Sequence, residues 1–303
     1  MAALLFAVTE RKGFMVLTGD AGTGKTTLVR KLLLSIPVTC AQFSVIVNPA
    51  LTRSELLESV LMDFGERDIP SSKALRLSLF KNLLLKAFAE GKTSVLVIDE
   101  AHLLTGDLID EVRLLSNFET SEQKLLQIIL VGQNELTAVL QLDSMRQVKQ
   151  RVAIRMHIDP LTAPEVKRYL HTRWARACAG HAFPFADAAI DLVAQASAGI
   201  PRVVNVICDA ALVNAYGSGI RAIGVAQIEE VLEDLSIAVP KPSPSVDGLT
   251  ATGFSGDTYA MSRTIERIET ASKSVERYIP DVRQPPKFWK IATWFRTAGG
   301  EAK

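Results

Sequence analysis

One stretch constrains this chain more than any other. From Gly19 to Leu28 it reads GDAGTGKTTL, with three glycines in six residues and then Lys25, Thr26 and Thr27. Upstream, GFMVLTG (Gly13–Gly19) reads as a short buried strand. Downstream, KTTLVRKLLLSI (Lys25–Ile36) has helical spacing, with Leu28, Leu32 and Leu33 on one face. The glycine loop therefore joins a strand to a helix, which is the context a phosphate-binding loop needs. Its residues Gly19, Asp20, Ala21, Gly22, Thr23, Gly24, Lys25, Thr26 and Thr27 can turn backbone N–H groups inward around phosphate oxygens. The new helix aims its positive dipole end at the same anion. Lys25 can reach the β- and γ-phosphates, and Thr26 can give its hydroxyl to Mg²⁺. With glycine at about 7% of average usage, the pattern arises by accident in roughly one chain of this length in a hundred. A glycine turn with a chance lysine is the weaker reading.

The rest of the composition is that of a globular protein. Of 303 residues, 48% are apolar and 22% charged, enough for two domains and a tail. The formal net charge of +1 favours neither nucleic acid nor a membrane surface as a partner. Cys40, Cys178 and Cys208 stand far apart with no CxxC spacing, which suggests reduced, buried thiols in a reducing, cytoplasmic compartment. No apolar run reaches the length of a bilayer span. The opening MAALLFAV has no basic residues before it and is interrupted by TERKG, so it reads as a buried helix rather than a signal peptide.

A phosphate loop needs partners, and the chain supplies candidates in order. TSVLVIDEAHLL (Thr93–Leu104) opens with the continuous apolar run of an interior parallel strand. Asp99 and Glu100 follow at its C-terminal end, where α/β sheets bind ligands. Asp99 can hold Mg²⁺ through water, and Glu100 can polarise an attacking water. His102 is expected to start the next helix. KLLQIILVGQNEL (Lys124–Leu136) is a further buried strand, ending at Gln133 and Asn134, where an amide can touch a γ-phosphate or the attacking water. RQVKQRVAIRMHIDPL (Arg146–Leu161) carries three arginines before a proline-bearing link. Phosphoryl transfer gains greatly from an arginine on the developing charge, although a solvated basic helix is the ordinary reading of any one of them.

This ordered set resembles the AAA+ ATPases. More narrowly, it is similar to the ExeA-type ATPases of general secretion and pilus-assembly loci and their exopolysaccharide and exosortase relatives. The stretches that carry the resemblance are GFMVLTGDAGTGKTTL, VLVIDEAHLL, EVRLLSNFET, IILVGQNEL, QRVAIR, GIPRVVNVICDAAL and VLEDL, from Gly13 to about Leu235. The resemblance implies an α/β P-loop NTPase (AAA+) fold, a three-layer αβα core with a parallel sheet, plus a small helical lid. It implies that Lys25 and Thr26 are the Walker A pair, and Asp99 and Glu100 the Walker B pair. Gln133 would be the first sensor. Arg151 would be the arginine finger, acting in trans on a neighbouring subunit's nucleotide. Arg202, in GIPR, would be the second sensor. The cofactors would be ATP and Mg²⁺, and the partners further copies of the chain and a secretion or envelope-assembly protein. Two departures stand out: Asn134 replaces a usual proline, and only Met1–Lys12 precede the first strand. The second implies either a start lying upstream or a reduced base-binding wall.

Four domains or segments are expected: a nucleotide-binding core over 1–159, a helical lid over 160–238, a flexible linker over 239–257 and amphipathic tail segments over 258–303. The lid reads as four helices, and Thr162 with Glu165 forms a capping-box pair at the first. His157, His171 and His181 lack metal-ligand spacing and suit surface or packing roles. In the tail, expected to be largely disordered, a short heptad-like seam runs from Met261 to Ile279. Phe288, Ile291, Trp294 and Phe295 would share a helix face flanked by Lys287, Lys290 and Arg296. That face, within 285–296, suits peripheral contact with the inner membrane or a partner groove.

The lead reading is an oligomeric ATPase that assembles or remodels a secretion or envelope complex. One alternative keeps the ATPase and gives it DNA, as in transposition complexes. Residues 1–239 hold 24 Lys/Arg and 26 Asp/Glu, so the core lacks the basic excess that phosphate tracking needs. Another alternative is a nucleotide-sensing scaffold without useful turnover, against which the intact Glu100 argues.

Overall fold

The computed structural model describes residues 1–142, 145–177 and 182–239. The elements in chain order are α1 (Ala2–Thr9), β1 (Phe14–Gly19), α2 (Lys25–Ser35), β2 (Ala41–Ile46), α3 (Arg53–Asp63), α4 (Lys73–Ala89), β3 (Thr93–Ile98), a 3-10 turn (Ala101–Leu103), α5 (Gly106–Leu115), β4 (Leu126–Val131), α6 (Asn134–Gln141), α7 (Arg146–Lys149) and β5 (Val152–Ile158). Four more helices follow: α8 (Ala163–Ala177), α9 (Asp187–Ala196), α10 (Pro201–Gly217) and α11 (Val225–Asp234).

The five strands form one parallel sheet in the order β2-β3-β4-β1-β5. A parallel sheet with helices on both faces buries its inner strands on both sides, which is why they read as unbroken apolar runs. β1 and β4 are buried at every position, and β3 at all but its first. The edge strand β5 instead alternates exposed and half-buried residues along VAIRMHI. This strand was not expected. Its arginines draw attention to a basic segment, but the apolar residues recur every second position, which is the period of a strand. The expected helix after the glycine loop is present as α2, although Val29 rather than Leu28 joins Leu32 and Leu33 in the buried face.

The main core gathers around the sheet, from Phe14, Val16, Leu96, Ile98, Ile128 and Leu130 to Phe80 and Leu84 of α4. A second apolar cluster joins α8 to α11 through Val166, Ile190, Val193, Val204, Ile207, Ile228 and Val231. The Thr162–Glu165 pair is half of a capping box. The Glu165 carboxylate accepts from the Thr162 main-chain N–H (2.9 Å), but the Thr162 hydroxyl donates to that same carboxylate (2.8 Å). These bonds hold Glu165 below the usual carboxylate range.

The N-terminal segment is a helix with Leu4, Ala7 and Val8 buried, while its other face meets solvent. Of the cysteines, Cys208 is buried, and its thiol is pushed up to about 12, chiefly by burial. Cys40 is exposed, contrary to expectation, because it lies in the loop just ahead of β2. His171 stacks on Phe183 at 4.0 Å, and His157 meets the Thr18 hydroxyl at 3.1 Å. Cys178, His181 and everything assigned to the tail from residue 240 lie outside the described residues. Among the described residues, no helix is long and apolar enough to cross a membrane.

Candidate active site

The glycine loop leaves the C-terminal end of β1 and closes at Gly24, whose φ of +98° is followed by the first turn of α2. The Lys25 ammonium is buried inside this loop. It donates to the carbonyls of Gly19 and Asp20, both at 2.9 Å. The Thr23 hydroxyl pins the turn by donating to the Asp20 carbonyl at 2.8 Å. Ala21 and Thr27 are exposed, and Gly22 lies between them with φ +83°.

Gly22 is where the lid helices meet the loop. The Arg202 N–H, in the first turn of α10, donates to the Gly22 carbonyl at 3.3 Å. A Cβ on Gly22 would lie 2.7 Å from the Arg202 Cβ and 3.1 Å from Ile200 Cγ2. Only glycine permits both the backbone angle and this approach. The Arg202 side chain is exposed.

Across the loop, β3, separated from β1 by β4, is followed directly by Asp99, which is buried. The Thr26 hydroxyl donates to one Asp99 carboxylate oxygen at 2.9 Å, and the Glu100 N–H donates to the other at 2.9 Å. A hydroxyl beside a buried carboxylate is a hard-oxygen pair, the donor type Mg²⁺ takes, with water completing its shell. The buried ammonium, the inward-turned glycine loop and the helix N-terminus above it fit a phosphate chain. The residues present thus suit Mg²⁺ and a nucleotide phosphate chain together.

Glu100 adopts φ +51°, the left-handed region that non-glycine residues enter rarely and at a cost of about 1–3 kcal/mol. Its Oε2 is shut off from solvent without a hydrogen bond of its own. The nearest cation-capable group is His102 Nδ1, 3.4 Å away. His102 does not start a long helix as expected. It sits in the short 3-10 turn, and α5 begins only at Gly106, capped by the Thr105 hydroxyl. From that turn the imidazole also reaches Gln133, the residue that caps α6 just beyond β4. Nδ1 lies 3.4 Å from the Gln133 main-chain nitrogen, and Nε2 lies 3.4 Å from its side-chain amide nitrogen. The local signal for His102 is the DEAH spelling that follows β3.

Asn134, the departure from proline, donates its side-chain N–H to Asp20 Oδ1 at 2.6 Å. It ties the start of α6 to the glycine loop, a bond that proline cannot make. Arg151 is placed elsewhere. Its Nη1 donates to the Ser116 hydroxyl (2.9 Å), the Arg113 carbonyl (3.5 Å) and the Asn117 side-chain oxygen, all at the C-terminal end of α5. A cation there is favoured by the helix dipole. The stretch EVRLLSNFET therefore holds this arginine within its own chain. Arg146 and Arg155 lie on α7 and β5 and are exposed.

Comparison with known proteins agrees with this geometry. Residues 8–140 match the AAA domain family. Over 222 residues, 72% of this chain, the sequence is 40% identical to general secretion pathway protein A of Aeromonas hydrophila. Residues 8–140 thus carry an AAA domain. The chain spans about 40% of the length of that Aeromonas relative. Among solved structures, the ORC2 protein of Aeropyrum pernix in ADPNP–ADP complexes superposes with a TM-score of 0.60 at 14% identity, covering 77% of this chain and 66% of the other. Drosophila ORC bound to DNA gives 0.61 at 18% identity, covering 78% and 59%. The Thermotoga maritima RuvB Holliday junction branch migration motor gives 0.51 at 21% identity, covering 77% and 67%. These three likenesses establish the fold.

Proposed function

We propose that this AAA+ chain binds Mg–ATP in the Gly19–Thr27 loop and hydrolyses it as part of a homo-oligomer, driving the assembly or remodelling of a secretion or envelope complex. The observation that carries the reading is the meeting of Lys25, Thr26 and Asp99 with Glu100 and Gln133 at the C-terminal ends of β1, β3 and β4. Lys25 and the loop N–H groups bind and orient the phosphates. Thr26 and Asp99 would hold the metal, which would supply positive charge to offset that of the phosphates. Glu100 orients a water and accepts its proton, with Gln133 facing the same water. Arg202 reports on the phosphate from the lid. Arg151 serves a neighbouring subunit's site, so a single subunit is an incomplete catalyst.

The secretion assignment rests on the similarity to general secretion pathway protein A. It would place the protein on the cytoplasmic side of the inner membrane, with residues 285–296 as a peripheral contact. The near-neutral charge of residues 1–239 supports a protein client over nucleic acid.

Glu100→Gln separates the enzyme from a nucleotide-sensing scaffold. In the enzyme, turnover falls roughly 10²–10⁴-fold while ATP affinity is kept, because the amide cannot accept the proton. ATP is then retained and the oligomer stabilised. A scaffold would bind, release and assemble as the unchanged chain does.

A further inference from the structure

His102 stands between the two groups that the proposed reaction places on the attacking water. Its imidazole lies 3.4 Å from Glu100 Oε2 on one side, and 3.4 Å from both the main-chain and the side-chain nitrogen of Gln133 on the other. The side chain is only 12% exposed, so these neighbours rather than water compete for its nitrogens. Gly132 makes the juxtaposition possible. A Cβ there would lie 3.2 Å from the His102 main-chain nitrogen and 3.0 Å from Leu136 Cδ2. With glycine, the end of β4 closes on the 3-10 turn.

A neutral imidazole has one N–H and one acceptor nitrogen. Nδ1 can therefore serve one partner at a time. With the proton on Nδ1, it donates to Glu100 Oε2, and Nε2 accepts from the Gln133 side-chain amide. With the proton on Nε2, Nδ1 accepts the Gln133 main-chain N–H, and Glu100 Oε2 is left without a donor. All three separations sit at the long end of hydrogen bonding, so a small ring rotation decides which pattern is made. An inward-turned carboxylate oxygen that accepts nothing, on a residue held at φ +51°, marks the end of the network that this choice changes.

We propose that His102 is a positioning residue that couples the Gln133 amide to the Glu100 carboxylate. When Gln133 offers its side-chain N–H to the imidazole, Nδ1–H fixes Glu100 Oε2. When that amide turns to another acceptor, the ring is free to release Glu100. The inference rests on the reading of Glu100 as the base and Gln133 as the sensor.

The test has two readouts. In steady-state kinetics, His102→Ala lowers kcat roughly tenfold (about 1.4 kcal/mol) with KM within about twofold. His102→Gln, which keeps a donor and an acceptor, recovers part of the loss. The double variant with Gln133→Ala is no slower than the slower single variant, because both act through one relay. The second readout needs no turnover. The chain has four histidines, so ¹⁵N imidazole spectra are sparse, and the His102 resonances report its tautomer. Gln133→Ala should shift the His102 tautomer balance while leaving His157 and His171 unmoved. An unchanged kcat in His102→Ala, a loss that simply adds to that of Gln133→Ala, or His102 resonances indifferent to Gln133→Ala would each overturn the coupling. Wild-type turnover no higher than that of Lys25→Ala would instead remove the ATPase reading, and the spectra would still decide the coupling.

Discussion

The two ends of the site are built in different ways. The phosphate end comes from one contiguous stretch, Gly19–Thr27, joined by the single carboxylate of Asp99. Within the loop its bonds run between residues a few positions apart, and a helix N-terminus completes it. The end to which we assign hydrolysis is drawn from separate elements. Glu100 follows β3, His102 sits in the 3-10 turn, Gln133 stands at the N-terminus of α6 and Arg202 opens α10, while Arg151 lies apart, its guanidinium bonded at the C-terminal end of α5. A local turn can fix the first end. The second needs the sheet, the lid contact and the helix packing to be correct together. Binding should therefore survive changes that abolish turnover, and the lid contact at Gly22 should be the point where both ends fail at once.

Gly22→Ala is the largest test of that difference. It adds a Cβ at φ +83° and 2.7 Å from the Arg202 Cβ. The expected cost is about 1–3 kcal/mol, a fall in Tm of roughly 2–4 °C per kcal/mol, with nucleotide affinity and turnover both reduced. Calorimetry beside a binding titration checks it. An unaffected Tm and affinity would show that the lid does not rest on the loop in solution.

Asn134→Ala is a smaller test, because it cuts the one side-chain bond described between the start of α6 and the loop. A net loss of about 1 kcal/mol would appear as a few-fold weaker nucleotide affinity with kcat little changed. If kcat fell and affinity held, Asn134 would belong to the hydrolysis end, and the division between the two ends would have to move.

What could be read from the sequence follows the same line. The loop, the Asp99–Glu100 pair and the strands β1, β3 and β4 announce themselves because each is a continuous local pattern. β5 was hidden because its alternating residues are interleaved with Ala153, Arg155 and His157, which reads as a basic segment rather than an edge strand. His102 was missed because its partners lie on either side of it in space. One is two residues earlier and the other thirty-one residues later, a pairing that only the β3–β4 register creates. The hold of Ser116 and Asn117 on Arg151 is a long-range contact of the same kind. Asn134, visible as an amide at the end of β4 and as a departure from the family pattern, gained its meaning from the position of Asp20.

The decisive measurement is ATP turnover per subunit as a function of protein concentration, with Lys25→Ala as the blank and Arg151→Ala as the partner in mixing. A shared site predicts turnover per subunit that climbs with concentration. It also predicts that mixtures of Lys25→Ala and Arg151→Ala chains regain activity that neither has alone, because one supplies the finger and the other an intact loop. Real turnover that is flat with concentration, with no recovery on mixing, would confine catalysis to one subunit and contradict the role given to Arg151.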